Sequence, residues 1–311
     1  MTIIGLDPQP ASHTVVALDA QGKRLGELRT VNDQAGLQRL VDWGKGFADR
    51  KWAIEGANNP FSRPLVSSLQ NQGETVWHIH PSLTSQYRSK GGRKKNDVID
   101  AENAAKVLLA NPELKPYKPN PRQVELQQLY RTRARLVEER KANQMALKEL
   151  QKPQQGVHRS TQTLTQALEQ VIQSLQQAIT TLEKQLLKLV REIKPSLLDL
   201  DGVGTVVAAC ILAELGDISR FPNAQHFASY CGVSPLERGS GKVTRNCVNT
   251  GGNRRLNYAL HLAVLTRIRL DLQGSKAFIE KKTQQGKTKR EAIRALKTYL
   301  AREIFHHLAN S

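Results

Sequence analysis

The sequence predicts an α/β domain followed by a mostly α-helical remainder, and three observations support this fold class. Short β-branched runs alternate with segments of helical spacing over about the first hundred residues. Four prolines between Pro112 and Pro121 then interrupt regular structure, because proline has no backbone N–H to donate. Beyond them glycine is rare and leucine recurs every three or four residues, as in long helices. We therefore predict domains at 1–118, 119–195 and 196–311.

The first domain is predicted to contain five strands. The first, TIIGLD, ends at Asp7, and the next two flank a turn at residues 20–22. A helix, a strand ending at Glu55, a second helix and the strand ETVWHIHP follow, and a third helix begins within NDVIDAENAAKVLLAN. Three strands with hairpin signals before alternating helices and strands indicate a sheet of mixed direction.

The middle segment is predicted to be a helical hairpin or a coiled-coil arm. In its second half, nine apolar residues step by threes and fours along one face: Leu164, Leu168, Val171, Leu175, Ala178, Leu182, Leu186, Leu189 and Ile193. The segment KPQQGVHRS, residues 152–160, separates the two halves and is predicted to be a turn. We expect the arm to act as a spacer or a dimerisation element and assign it no chemistry.

The last domain is predicted to be mostly helical. Residues 198–212, LDLDGVGTVVAACIL, fit the helix-hairpin-helix pattern, in which Gly202 and Gly204 permit a tight turn and the next helix presents free amides to a phosphate. The alternative is an ordinary helix–turn–helix packing element. A capping box of Thr288 and Glu291 signals the final helix.

Ser240 lies in a segment rich in Gly, Ser, Asn and Thr that is predicted to be a loop from Pro235 to Asn253. Basic residues accompany it: Lys242, Arg245, Arg254 and Arg255. A serine hydroxyl is a poor nucleophile unless a base or a metal activates it. Without further context, the sequence therefore favours a flexible-loop serine at this position.

The charge of the chain predicts a polyanionic partner. The 311 residues carry a formal net charge of +18, and no apolar run approaches the roughly 20 residues of a membrane-spanning helix. Nucleic acid is therefore favoured over a membrane. One basic run is predicted to contact the nucleic-acid backbone, with a solvated loop as the alternative: Lys90, Arg93, Lys94 and Lys95. The three cysteines and the absence of a signal-peptide pattern at the N-terminus favour a cytoplasmic protein.

Four acidic residues are candidates for a metal site. Asp97 and Asp100 lie one helical turn apart, which by itself is typical of a solvated helix start. Asp7 and Glu55, however, each end an apolar strand. A sheet that places these two side by side, facing the helix, would form a four-carboxylate cage. Such a cage suits Mg²⁺ or Mn²⁺, and two metal ions can clamp both oxygens of a phosphodiester displacement.

This order of acids resembles the ribonuclease-H-like fold in its RuvC-type, Holliday-junction-resolvase form. Over nearly its whole length, the chain resembles the DEDD-type insertion-sequence transposases, the family that also contains Piv-type DNA invertases. The resemblance rests on the four acids and on the motifs NDVIDA, GVG, YCGVSP, GSGK, GGNRRLNYAL and GKTKREAIRALKTYLARE. Asn96 stands where many members have threonine, a departure that touches no proposed ligand.

The resemblance implies that Asp7, Glu55, Asp97 and Asp100 bind magnesium. It also implies that Ser240 is a nucleophile that forms a covalent 5′-phosphoserine bond with DNA. Members of the family build a composite site from the resolvase-like domain of one protomer and the serine domain of another, which implies a dimer or a tetramer on DNA. They recombine through a Holliday junction and an excised circle, and at least some are directed by a structured bridge RNA. The expected partners are therefore donor and target double-stranded DNA and a structured guide RNA, in a prokaryotic cytoplasm.

Two alternatives to a serine transposase stay open from the residues. The first is a metal-dependent, structure-specific nuclease that hydrolyses DNA junctions with activated water and does not use Ser240. The second is a basic nucleic-acid-binding scaffold whose site has decayed. All three hypotheses predict DNA binding that weakens steeply with salt.

Overall fold

The computed structural model describes nearly all of the chain, in two compact units, Met1–Pro119 and Asn120–Ser311. The described residues are 1–59, 61–84, 87, 96–152, 159–216, 218, 221–240, 243–249 and 251–309. Within these ranges, no helix is both long enough and apolar enough to cross a membrane.

The first unit is built on a five-stranded sheet of mixed direction, as predicted. The strands are β1 Thr2–Pro8, β2 Ser12–Leu18, β3 Arg24–Val31, β4 Arg50–Glu55 and β5 Val76–Ile79. Their order in the sheet is β3-β2-β1-β4-β5. β2 runs antiparallel to β1 and β3, whereas β4 runs parallel to β1 and β5. The two hairpin-joined strands lie on one side of β1, and the strands reached through helices lie on the other.

Helices cover both faces of this sheet. They are α1 Gln34–Lys45, α2 Arg63–Asn71, α3 Pro81–Thr84 and α4 Asp97–Ala110. Side chains alternate between the faces of a strand, so one set of apolar residues packs with α1 and α2 and the other set packs with α4. Asn96 caps α4, since its Oδ1 accepts a hydrogen bond from the Val98 amide at 3.0 Å. The cap fixes the helix start, and with it the first turn that carries the two aspartates.

Gly5 lets α4 lie unusually close to β1. A Cβ atom built at Gly5 would lie 2.0 Å from the carbonyl oxygen of Ala101 and 2.7 Å from the amide nitrogen of Ala105. The helix presents small residues at this contact, so backbone packs almost directly on backbone. The close approach brings the start of α4 to the carboxyl-terminal end of β1.

The second unit begins with two long helices, α5 Pro121–Leu150 and α6 Arg159–Ile193. The side-chain pairs between them show that they run antiparallel, since later residues of α5 contact earlier residues of α6. Arg133 donates to Glu183 at 2.7 and 2.9 Å, and Arg140 donates to Gln176. Most of the predicted turn at 152–160 lies outside the described residues. A supercoiled arm stays a prediction.

The rest of the second unit is mostly helical around one apolar core. Its helices are α7 Thr205–Leu215, α8 Ala224–Tyr230, α9 Arg254–Leu270, α10 Ser275–Gln284 and α11 Lys289–Ala309. A short 3₁₀ helix, Pro195–Asp199, and a turn precede α7. Gly202 in that turn has a φ of +75°, and Arg267 ties the turn to α9 by donating from Nε to the Asp201 carbonyl at 2.7 Å. The helix-hairpin-helix assignment stays a prediction.

The segment from Pro235 to Asn253 is not simply a loop. It contains two antiparallel strands, β6 Leu236–Ser240 and β7 Val243–Cys247, which form their own two-stranded sheet. The prediction of a loop is wrong for these residues. Glycine, serine and asparagine weaken the strand signal of a single segment, and the backbone pairing of the two segments outweighs that low propensity.

Candidate active site

Asp7 is the second-last residue of β1, and Glu55 is the last residue of the neighbouring parallel strand β4. Leu6 of β1 pairs with Ile54 of β4, so the register places Asp7 and Glu55 next to each other one step further along the strands. Adjacent strands lie about 4.8 Å apart. Residues two and four positions earlier, Ala53 and Ile3, pack in the core on the α4 side. By strand alternation, both acids therefore project on the side of the sheet that α4 covers.

A single carboxamide joins Asp7 to Asp97. Gln9 Nε2 donates to Asp7 Oδ2 at 3.0 Å and to Asp97 Oδ1 at 2.9 Å. The two carboxylate oxygens are therefore within about 6 Å of each other, although the residues are far apart in sequence. Arg29 on β3 completes this side of the cluster, with a guanidinium nitrogen 3.6 Å from Asp97 Oδ2. The first strand and the start of α4 thus share one polar cluster.

Glu55 and Asp100 are the buried acids of the set, with relative exposures of 9% and 4%. Glu55 Oε1 accepts a hydrogen bond from Thr84 Oγ1 at 3.2 Å. Burial of a carboxylate costs free energy unless hydrogen bonds, a counter-charge or a metal ion compensate for it. Both acids are buried, and the Thr84 hydroxyl is one of the groups that compensate the Glu55 carboxylate.

The chemistry of these donors fits a hard divalent cation. Carboxylate oxygens are the ligands that Mg²⁺ and Mn²⁺ prefer. As the side chains stand, no three His, Cys, Asp or Glu residues within the described ranges are grouped to hold a metal ion. The donor that lies between Asp7 and Asp97 is the Gln9 N–H. A cation bound to both of these carboxylates would replace the hydrogen bonds that Gln9 makes to them.

Ser240 lies away from the acids in sequence, on the second unit. It is the last residue of β6 and pairs with Val243 across the hairpin. Other predicted nucleic-acid contacts fall outside the described residues: Lys90, Arg93, Lys94, Lys95 and Lys242. The backbone of Arg245 is described as part of β7. Gly204 is the N-cap residue of α7, and Gly202 precedes it in the turn.

Arg254 and Arg255 begin α9 but have different surroundings. Arg255 donates from a guanidinium nitrogen to Glu214 Oε1 at 3.1 Å, and the capping residue Asn253 donates to Glu214 Oε2 at 2.9 Å. Arg254 instead lines a cleft of the second unit. Arg255 is therefore engaged in an ion pair with Glu214, and Arg254 is the better placed of the two to bind an external anion.

Gln9, Arg29 and Thr84 were missed by the sequence analysis. Gln9 follows Asp7 by two residues, so the sequence alone could have suggested that its amide lies near the Asp7 carboxylate. Arg29 and Thr84 carried no such signal. The strand register and the packing of α3 bring them to the acids, and neither is visible in the local sequence.

Cys210, in α7, is buried in the apolar core of the second unit. Burial is the main cause that raises the pKa of Cys210 to about 12. A thiol with so high a pKa is protonated at neutral pH and is a weak nucleophile. Cys210 is therefore a core residue rather than a candidate nucleophile.

Two family models match the chain. Residues 4–152 match a model described as transposase, DEDD_Tnp_IS110, and residues 195–280 match one described as transposase IS116/IS110/IS902 family. Together they span the acidic cluster and the serine hairpin.

Individual proteins show the same relationship. The insertion element IS116 uncharacterized 44.8 kDa protein of Streptomyces clavuligerus is 25% identical over 85% of this chain and 84% of its own. The insertion element IS110 uncharacterized 43.6 kDa protein of Streptomyces coelicolor is 33% identical over 32% of this chain, a match that spans only 25% of that relative. Among solved structures, Thermus thermophilus RuvC in complex with a Holliday junction substrate matches 38% of this chain and 99% of its own, with 12% identity and a TM-score of 0.31.

Proposed function

Because the chain belongs to the IS116/IS110/IS902 family of insertion-sequence transposases, we propose that it recombines DNA through an acidic centre in the first unit and a serine in the second. The observation that carries the proposal is the Gln9 amide shared by Asp7 and Asp97 beside the strand end at Glu55. This arrangement supports a site for a divalent cation at one end of the sheet.

Asp7, Glu55, Asp97 and Asp100 would hold the metal. Magnesium or manganese bound there would neutralise charge that develops on the phosphate as it is attacked. The protein itself contributes the placement of the ligands. β1 and β4 fix two acids by their register, and the capped start of α4 fixes the other two. Arg29 beside Asp97 adds a positive charge for a phosphate oxygen.

Ser240 would supply the nucleophile. Its Oγ attacks the phosphorus of a DNA strand, the bond from phosphorus to the 3′ oxygen breaks, and the strand leaves as a 3′-hydroxyl after it accepts a proton. The serine proton passes to a base. The 5′ phosphate remains bonded to Ser240, so the energy of the phosphodiester is retained. Attack by the 3′-hydroxyl of another strand then reverses the chemistry and completes the exchange.

The partners follow from the charge and from the family. A net charge of +18 supports the binding of donor and target DNA, and a structured guide RNA would add sequence selection. We propose that the protein acts as a homo-oligomer, with the acidic centre and the serine contributed by different protomers.

The decisive experiment is detection of a protein–DNA covalent adduct on a denaturing gel. Wild-type protein should form the adduct in Mg²⁺ and lose it in EDTA. Ser240→Ala and Asp97→Asn should each abolish it, whereas two exposed control substitutions, Ser67→Ala on α2 and Asp42→Asn on α1, should leave it intact. Full junction cleavage by Ser240→Ala without an adduct would instead indicate hydrolysis by activated water.

A mixing experiment tests the division of labour between protomers. Ser240→Ala and Asp97→Asn proteins, each inactive alone, should regain adduct formation when they are combined, because one protomer supplies the acids and the other the serine. Absence of recovery from folded, mixed protein would show that both groups must belong to the same chain.

A further inference from the structure

The second unit contains a basic cleft that the proposed chemistry does not yet use. It has a volume of about 690 Å³ and lies between the base of the β6–β7 hairpin, the start of α9, the end of α10 and α11. Six basic side chains line it: Arg254, Lys282, Lys287, Arg294, Lys297 and Arg302. The acidic residue of the lining, Glu291, accepts hydrogen bonds from Thr288 at the start of α11.

Lys297 marks the bottom of this cleft. Its side chain is only 9% exposed, and its Nζ donates to Asn257 Oδ1 at 2.8 Å. Asn257 is held in turn, because its Nδ2 donates to the Gly232 carbonyl at 2.8 Å. In the part of the chain that the structure describes, no carboxylate forms an ion pair with Lys297. A buried ammonium with a neutral partner is costly, and a bound anion would compensate that cost.

A second cavity of about 330 Å³ continues the cleft past Lys297. The two cavities share Asn249, Arg254, Asn257 and Lys297 in their linings. They therefore form one extended groove with cations along it and a buried cation at the point where they meet. A single small anion would contact only some of these cations, whereas a chain of phosphates would place a negative charge beside several of them.

The position of the cleft relative to Ser240 also favours a nucleic-acid strand as the ligand. Leu236 and Cys247 pair at the base of the hairpin, beside the cleft, and Ser240 pairs with Val243 at the far end. Four residues of strand at about 3.3 Å each separate the two ends by about 13 Å. That distance is about four base steps at 3.4 Å per step. Tyr299, 52% exposed at the cleft wall, offers a ring on which a base could stack.

We propose that this groove binds the phosphodiester backbone of the DNA strand that Ser240 attacks, with Lys297 contacting one phosphate and Arg254 and Arg294 its neighbours. The proposal rests on the proposed function, since it assigns the groove to the strand on which the serine acts. Burial, and to a smaller extent the charge of Arg294, lowers the pKa of Lys297. A phosphate at this position would favour the charged form of the amine.

The test uses the full-length protein and fluorescence anisotropy with labelled 20-nucleotide probes: duplex DNA, single-stranded DNA and RNA of the same sequence. Lys297→Met and Arg294→Gln should each weaken DNA binding about tenfold and reduce the slope of log K against log salt by about one. Arg290→Gln, an exposed charge one turn earlier on α11 and outside the cleft lining, is the matched control and should change the affinity and slope much less. Arg294 is exposed, so its variant remains informative if Lys297→Met does not fold.

The outcomes separate this inference from the proposed function. Wild-type affinity and salt slope in both cleft variants would overturn the groove assignment, even if Ser240→Ala still loses the covalent adduct. A loss confined to the RNA probe would overturn the assignment to a DNA strand. Weakened DNA binding with no adduct from wild-type protein would support the groove and refute the serine chemistry.

Discussion

Gly5→Ala tests how the sheet holds α4 beside the acids. The added Cβ atom would lie 2.0 Å from the Ala101 carbonyl oxygen, and ordinary van der Waals contact begins at 3.4 Å. The helix would therefore have to move away from β1 by about 1.4 Å, or the strand would have to bend by a similar amount. The amide nitrogen and Cβ of Ala105, at 2.7 and 2.9 Å, block a simple sideways shift.

The expected cost has two parts. Overpacking of a rigid contact destabilises a protein by about 1–3 kcal/mol, which should lower the unfolding midpoint of the first unit by roughly 5–10 °C. The same displacement separates Asp97 from Asp7, and a misplacement of about 1 Å in a catalytic site can reduce the rate about 100-fold. Covalent adduct formation at a temperature where the variant is folded should therefore fall far more than the folded fraction does.

Differential scanning fluorimetry and a time course of adduct formation measure the two effects. Gly26→Ala is the control, because it also adds a methyl group to a strand of this sheet but meets its nearest atom, in the Trp43 ring, at 3.4 Å. It should be neutral or slightly stabilising. If Gly5→Ala matches Gly26→Ala in both midpoint and rate, then the close approach of α4 does not position the acids.

Three further predictions concern other parts of the chain. Gln9→Ala removes the amide that occupies two carboxylates, so the Mg²⁺ concentration needed for half-maximal adduct formation should fall. Gln21→Ala, in an exposed turn, should leave the Mg²⁺ titration unaltered. Burial lowers the pKa of His13, so the unfolded chain binds a proton more readily than the folded protein. The stability of the protein should therefore fall as the pH drops below about 6.5. Thermal melts at pH 5 to 7.5 should show that His13→Gln reduces this loss. Thr288→Ala removes the cap of α11 and should lower the free energy of unfolding in urea by about 1 kcal/mol. Thr181→Ala, exposed within α6, should leave it nearly unchanged. An equal loss in both variants would show that the cap contributes nothing to stability.

The elements of the first unit were largely predictable because their signals are local. Short, nearly continuous runs of apolar and β-branched residues specify the central strands, and a capping asparagine with a run of small and apolar residues specifies α4. The sequence also placed Asp7 and Glu55 at strand ends. These inferences need only the periodicity of the strand and the helix, which residues within one turn or one pleat determine.

The sequence by itself determined which residue types each element carries, and its net charge of +18 predicted a polyanionic partner. Only the tertiary structure decided which acids meet, since the Gln9 bridge to Asp97 spans 88 residues and depends on the approach of α4 to Gly5. It also decided the β6–β7 hairpin and the basic cleft, which gathers cations from three helices. The physical reason is that strand register, helix approach and cleft lining arise from packing between distant segments, and no local periodicity encodes them.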